Sequence, residues 1–168
     1  MTSHQYYHYY VEGQDEKKLI DTLKTRLRLI RAGKVQVFNV VQNKINQTRL
    51  MGLQRNTCVV LVFDTDHGTP SLLQENIRII QKHQNVSNVI CITQVRNLED
   101  ELIRSCQIRN IRELTGSKSD SNYKSDLIHC SNLDQRLRSV GFDIKLIWAK
   151  EPDGKFSGVR NEAIVIKV

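Results

Sequence analysis

Residues 57–63 read Thr-Cys-Val-Val-Leu-Val-Phe, a run without a charge and rich in β-branched and large apolar side chains. Successive side chains point to opposite faces of a strand, so this run puts apolar groups on both sides and needs both covered. The flanking sequence supplies the cover. Strands are expected at 6–11, 35–41 and 88–93, where aromatic and β-branched residues cluster. Apolar residues at helical spacing predict helices over 15–30, 70–83 and 98–108, with Gly33 as a stop after the first. Thr69 suits an N-cap and Pro70 a first helical turn. Strand and helix alternate, which argues for an α/β fold: a Rossmann-like, mainly parallel sheet of about four strands with helices on both faces. Beyond Leu114 the pattern weakens. Residues 115–123 and 152–158 read as loops, 132–140 as helix, 144–149 as strand or helix, and 163–168 as strand.

The chain has 168 residues, 39% hydrophobic and 26% charged. That is an ordinary globular balance and enough sequence for one domain with its own core. No repeat, low-complexity tract or linker divides it. A net charge of +7 favours polyanionic partners, nucleic acid first. Four cysteines, at 58, 91, 106 and 130, include no Cys-x-x-Cys pair, so neither a zinc site nor a disulfide framework is expected. The start, Met-Thr-Ser-His-Gln-Tyr-Tyr-His, lacks a basic n-region and an apolar h-region, and no run is long enough to span a bilayer. The expectation is a cytosolic protein with no membrane partner.

The apolar run ends in Asp64-Thr65-Asp66, and the first strand ends in Glu12-Gly13. Alternation puts residues i and i+2 on one face, so Asp64 and Asp66 are expected to aim two carboxylates at one spot. Such a pair repels unless a proton or a cation intervenes. Ligand sites of parallel sheets lie at the carboxyl ends of the strands. Glu12, Asp64 and Asp66 therefore belong on one rim, with Glu16 one helical turn beyond Glu12 and within reach of the same cation. Oxygen donors of this kind suit Mg²⁺ or Mn²⁺. Gly13 and Gly68 give the two exit loops conformational freedom.

Val11-Glu12-Gly13 together with Asp64-Thr65-Asp66, about fifty residues apart across helix, strand and loop, resembles the Toprim domain of topoisomerases, bacterial primases and several nucleases. Glu12-Gly13-x-x-Glu16 is similar to the nuclease branch typified by the overcoming-lysogenization-defect proteins. The segment Arg96-Asn97-Leu98-Glu99-Asp100 is similar to a short acidic motif of that branch. The resemblance covers roughly residues 6–105. It implies Glu12, Glu16, Asp64, Asp66 and Glu99 as metal ligands for Mg²⁺ or Mn²⁺, and Glu12 as general acid or base. Lys124 or Lys118 would be the downstream lysine that stabilises phosphate charge. It also implies hydrolysis of DNA or RNA phosphodiester bonds, plausibly in phage or plasmid defence. No Gly-x-x-x-x-Gly-Lys-Ser/Thr occurs, so an ATPase or other defence-system partner would be a separate protein.

Plainer readings stand beside these. Asp15 is expected as a cap or dipole residue, Glu99 as first-turn decoration of a helix capped by Asn97, and His67 as a bystander to a hard cation. Tyr6, Tyr7, Tyr9 and Tyr10 are explained by strand packing, with base stacking as the alternative. The lysines and arginines of the first helix read as a solvated face. Two other function classes stay open. One is a non-catalytic Toprim-like subunit that binds nucleic acid or a partner. The other is a phospho-acceptor receiver domain, disfavoured because only Glu12 stands at the first strand.

Overall fold

The computed structural model describes residues 4–168; Met1–Ser3, part of the stretch read above for a leader, lie outside the described residues. Strands β1 (Tyr6–Val11), β2 (Lys34–Val37), β3 (Thr57–Asp64) and β4 (Val86–Gln94) pair in the order β2-β1-β3-β4, every pair parallel. Helices α1 (Gln14–Asp21), α2 (Gln47–Leu50), α3 (Pro70–Gln81) and α4 (Leu98–Ser105) alternate with them, and α5 (Arg112–Thr115), α6 (Tyr123–Ile128) and α7 (Leu133–Ser139) follow. The architecture is α/β and Rossmann-like. No helix among the described residues is long and apolar enough to cross a membrane.

Every residue of β3 is buried, and its side chains divide cleanly between two cores. Cys58, Val60 and Val62 join Leu19, Ile20, Leu102 and Leu127 on one face; Val59, Leu61 and Phe63 join Leu50, Leu73, Ile80 and Phe156 on the other. The helices α1 and α3 thus cover opposite faces. From β1 the chain steps outward to β2, and from β3 it steps the other way to β4. With right-handed crossovers these opposite steps require opposite faces. The gap between β1 and β3 is therefore the topological switch point, where α/β sheets open a crevice at their carboxyl ends.

The segment after α7 wraps the β4 edge. Phe156 and Val159 pack in one core, Ala163 and Ile166 in the other. Between them Glu162 donates its N–H to the Cys91 carbonyl at 2.8 Å and accepts the Cys91 N–H at Oε2. An open sheet edge is covered this way without a fifth strand.

Several expected boundaries shift for local reasons. The helix expected over 15–30 is α-helical only through Asp21 and widens into a π turn at Thr22–Arg26. The Thr22 hydroxyl bonds back to the Lys18 carbonyl, Leu27 N–H reaches Thr22 O, and Arg28 turns to φ 54°. The strand expected over 35–41 stops at Val37: Asn39 accepts from Gln42 and Asn43 through its carbonyl and from Val41 through its side chain, so Val40 and Val41 are buried in a loop. The helix expected over 98–108 ends at Ser105, where Cys106 goes extended. Residues 144–149 form turns, neither strand nor helix, and 163–168 forms a 3₁₀ turn plus one antiparallel bridge from Lys167 to Ile30. In the polar stretch read as loop, Asp120–Asn122 is a 3₁₀ turn that runs into α6.

Candidate metal centre

Val11 of β1 pairs with Val62 of β3, so the next residues of the two strands emerge side by side. Glu12 Oε2 accepts the backbone N–H of Asp64 at 2.9 Å. Both line a cleft of about 210 Å³ together with Gln42, Asp66, His67, Glu99, Tyr123 and Lys124. Asp15 and Glu16, in the first turn of α1, are buried, 5% and 3% exposed. Asp15 Oδ2 and Glu16 Oε2 are enclosed and have no hydrogen-bond partner. A Cβ on Gly13 would stand 2.9 Å from Asp15 Oδ1 and 3.1 Å from Glu16 Oε2, so glycine leaves the space these carboxylates occupy. Its φ of −149° is ordinary extended backbone. Gly68 is different: φ is 76°, and a Cβ would collide with the Val41 carbonyl.

Gln94, the last residue of β4, is fully buried and organises the floor. Its Nε2 donates to Asp64 Oδ1 at 2.6 Å and to Glu16 Oε1 at 3.4 Å, while its Oε1 accepts from Trp148 Nε1 at 3.3 Å. An indole N–H only donates, so it fixes the amide oxygen toward itself and turns both amide hydrogens to the carboxylates. Trp148 is held in turn: its backbone N–H donates to Glu101 Oε2 at 2.8 Å, and the Glu101 Oε1 accepts from Val95 N–H and Arg104.

The electrostatics follow from burial and crowding. Burial, then the neighbouring Glu12 charge, push the Asp64 carboxyl up to about 8 against the Gln94 hydrogen bond, which lowers it. Burial, then Asp15 and Asp64, raise Glu16 far above the carboxylate range. Burial also raises Glu12, against the Asp64 N–H, which lowers it. Tyr123, buried against Asp15, Glu99 and Glu16, is raised as well, so its hydroxyl stays protonated. Lys124 is raised by Asp15, Glu16, Asp64 and Glu12 against its own partial burial, and its Nζ lies 3.8 Å from Asp15 Oδ2. Uncompensated buried carboxylates are costly unless a proton or cation joins them. The orphaned oxygens, all hard donors, fit a divalent cation of the Mg²⁺ or Mn²⁺ kind. Among the described residues no three of these groups form a ready-made cage.

The expected residues fall out unevenly. Glu12, Asp64, Asp66, Glu99 and Lys124 share the cleft, and Glu16 lies under it. Strand alternation does not carry to Asp66, because β3 ends at Asp64. Asp66 sits in the bend beyond, exposed, with Oδ1 2.6 Å from His67 Nδ1. Glu99 stands in the first turn of α4, whose cap is Asn97, accepting from Asp100 N–H. Lys118 is not in the cleft; it lines a separate cavity with Asn122, Asp126 and Arg136. Sequence reasoning missed Gln94, Tyr123 and Trp148 and assigned Asp15 to capping. No local pattern marks Gln94, which the structure places in register with Asp64. Comparison with protein-family models, curated proteins and solved structures finds no match for the chain.

Proposed function

We propose that this protein is a Toprim-like, divalent-metal-dependent nuclease that hydrolyses phosphodiester bonds of DNA or RNA at the cleft between β1 and β3. The observation that carries the reading is the Glu12–Asp64 contact at the switch point, beside two buried carboxylate oxygens that accept no hydrogen bond, one of them 3.8 Å from the Lys124 ammonium. Four acidic side chains gathered where a parallel sheet opens are a poor device for stability and a good one for holding a cation. Glu12, Glu16, Asp64 and Asp66 would hold Mg²⁺ or Mn²⁺, with Asp15 and Glu99 at the margin. The bound cation supplies charge neutralisation and polarisation of the phosphodiester.

The remaining work falls to the chain's own side chains. Glu12 keeps Oε1 free while Oε2 is held by the Asp64 N–H, so it is oriented to accept or return a proton at the rim. Lys124 reaches over the cleft and pairs its ammonium with the negative charge that builds on phosphate. Tyr123 keeps its proton and offers a donor in the cleft. The resemblance extends the reading to defence against phage or plasmids, alone or beside a separate ATPase.

End-labelled single- and double-stranded DNA and RNA, incubated with Mg²⁺ or Mn²⁺ and with EDTA, test the reading. Cleavage is expected only with metal and is expected to vanish in Asp64→Asn. Cleavage that survives both treatments would falsify it.

A further inference from the structure

A second, larger cleft lies beside β2 on the α2 face of the sheet. About 420 Å³ in volume, it is lined by Lys34 and Gln36 of β2, His8 of β1, and Asn46, Thr48 and Arg49 around α2. It contains no carboxylate. Lys34 and Arg49 are exposed, and neither has a carboxylate partner among the described residues. The Arg49 guanidinium lies 4.6 Å over the Phe38 ring.

A smaller cavity of about 190 Å³ continues from it around the strand starts, sharing His8, Lys34 and Gly52 and adding His4, Tyr6, Tyr7 and Gln54. Tyr6 is 41% exposed and packs edge-on against His4. Tyr9 and Tyr10, by contrast, are fully buried. Tyr7 packs against the core on the other face, so the groove runs from two cations, Lys34 and Arg49, to the exposed rings of Tyr6 and His4. Backbone phosphates take the first and unpaired bases stack on the second; paired bases keep their faces inside the duplex.

We infer that this groove binds single-stranded nucleic acid, with phosphates on Lys34 and Arg49 and bases against Tyr6 and His4. The segment between β2 and β3 ties it to the acidic cleft: Gln42 lines that cleft, whereas Asn46, Thr48 and Arg49 line the groove. Glu12 lies four residue steps along the chain from His8, about 13 Å. A strand lying in the groove is therefore led toward the acidic rim. For the fate of that strand the inference rests on the nuclease reading; for binding it stands alone.

The test is fluorescence anisotropy in EDTA, where no metal-dependent cleavage occurs, using a labelled oligo(dT), its RNA counterpart, a hairpin duplex and a labelled mononucleotide. Both single strands are expected to bind more tightly than the duplex. Lys34→Ala with Arg49→Ala is expected to weaken binding at least tenfold and to flatten the salt dependence by about 1.4 in slope. Tyr6→Ala is expected to weaken it about tenfold. Gly52→Glu is the folding-safe variant, because a Cβ there meets nothing within 4 Å and Gly52 lines both cavities; its added negative charge should also weaken binding at least tenfold. Equal affinity for duplex, unchanged affinity in the groove variants, or binding of the mononucleotide alone would overturn the inference, and none of these bears on metal-dependent cleavage.

Discussion

Glu12 and Asp64 meet through a single hydrogen bond, side-chain Oε2 to backbone N–H at 2.9 Å, across 52 residues of sequence. The bond joins the ends of two neighbouring parallel strands at the point where the chain reverses its direction of travel through the sheet. It holds one carboxylate over the strand end that carries another. Burial then does the rest, because the surrounding apolar core denies both groups the water that would separate their charges.

Asp64→Asn removes one negative charge and keeps the Oδ1 that accepts from Gln94. The variant is expected to fold and, at pH 9 without metal, to melt above wild type. Near pH 5, where wild-type Asp64 is protonated, the two should melt together. Metal-dependent cleavage should fall by more than the ~10–100-fold that loss of an outer-shell partner typically costs. Thermal melts and the cleavage assay read both effects.

Stability without metal should decline as pH rises. Asp64 is raised from 3.8 to about 8 in the folded protein, and Glu16 is raised in the same sense. Between those values the native state holds more protons than the unfolded chain, so the slope of unfolding free energy with pH is negative. The loss begins above the ordinary carboxylate range and is complete once the pH passes the folded-state value. Melting temperatures measured in EDTA from pH 5 to 9 should fall across this window, and millimolar Mn²⁺ should remove most of the fall.

Gln94→Leu keeps the bulk and deletes the amide that faces Trp148, Asp64 and Glu16. It leaves the indole N–H and a buried carboxylate without partners, at a cost of about 1–3 kcal/mol. Urea unfolding should show that loss. Affinity for Mn²⁺ should fall about 10–100-fold, since the ligands lose their orientation.

Glu101 is fully buried and accepts from Val95 N–H, Trp148 N–H and Arg104. Glu101→Ala strands the Arg104 charge and frees the Trp148 turn, and about 3–5 kcal/mol should go with it. Glu101→Gln, which retains an acceptor, should lose less. Denaturant midpoints of the two variants order the effects.

What the sequence disclosed and what it hid have separate physical causes. β3 was legible because a strand covered on both faces must be apolar throughout, and 57–63 is. The helix over 70–81 was legible because Thr69 and Pro70 mark its start, and Thr69 does accept from Leu72 N–H. Glu12 and Asp64 could be placed on one rim because parallel strands bring their carboxyl ends to one edge. Gln94 and Trp148 were hidden, since their roles come from contacts across 54 residues that no local pattern encodes. The segment 163–168 misled because β-branched composition reports burial as readily as pairing. Ala163 and Ile166 are buried against the core, not paired in the sheet. Lys118 and Lys124 both stand in a polar stretch, with Lys124 the preferred candidate, and the start of α6 at Tyr123 is what brings Lys124 to the cleft while Lys118 lines another cavity.

The central claim is that these carboxylates share one divalent cation, and calorimetric titration of Mn²⁺ at pH 7 in two buffers of different ionisation enthalpy addresses it directly. The account predicts saturable binding with net proton release, because Asp64, pushed up to about 8, carries a proton that the cation displaces. It also predicts loss of that binding in Asp64→Asn and in Glu12→Gln. Absence of saturable heat in the folded wild-type protein, or binding of equal strength in both variants, would contradict it.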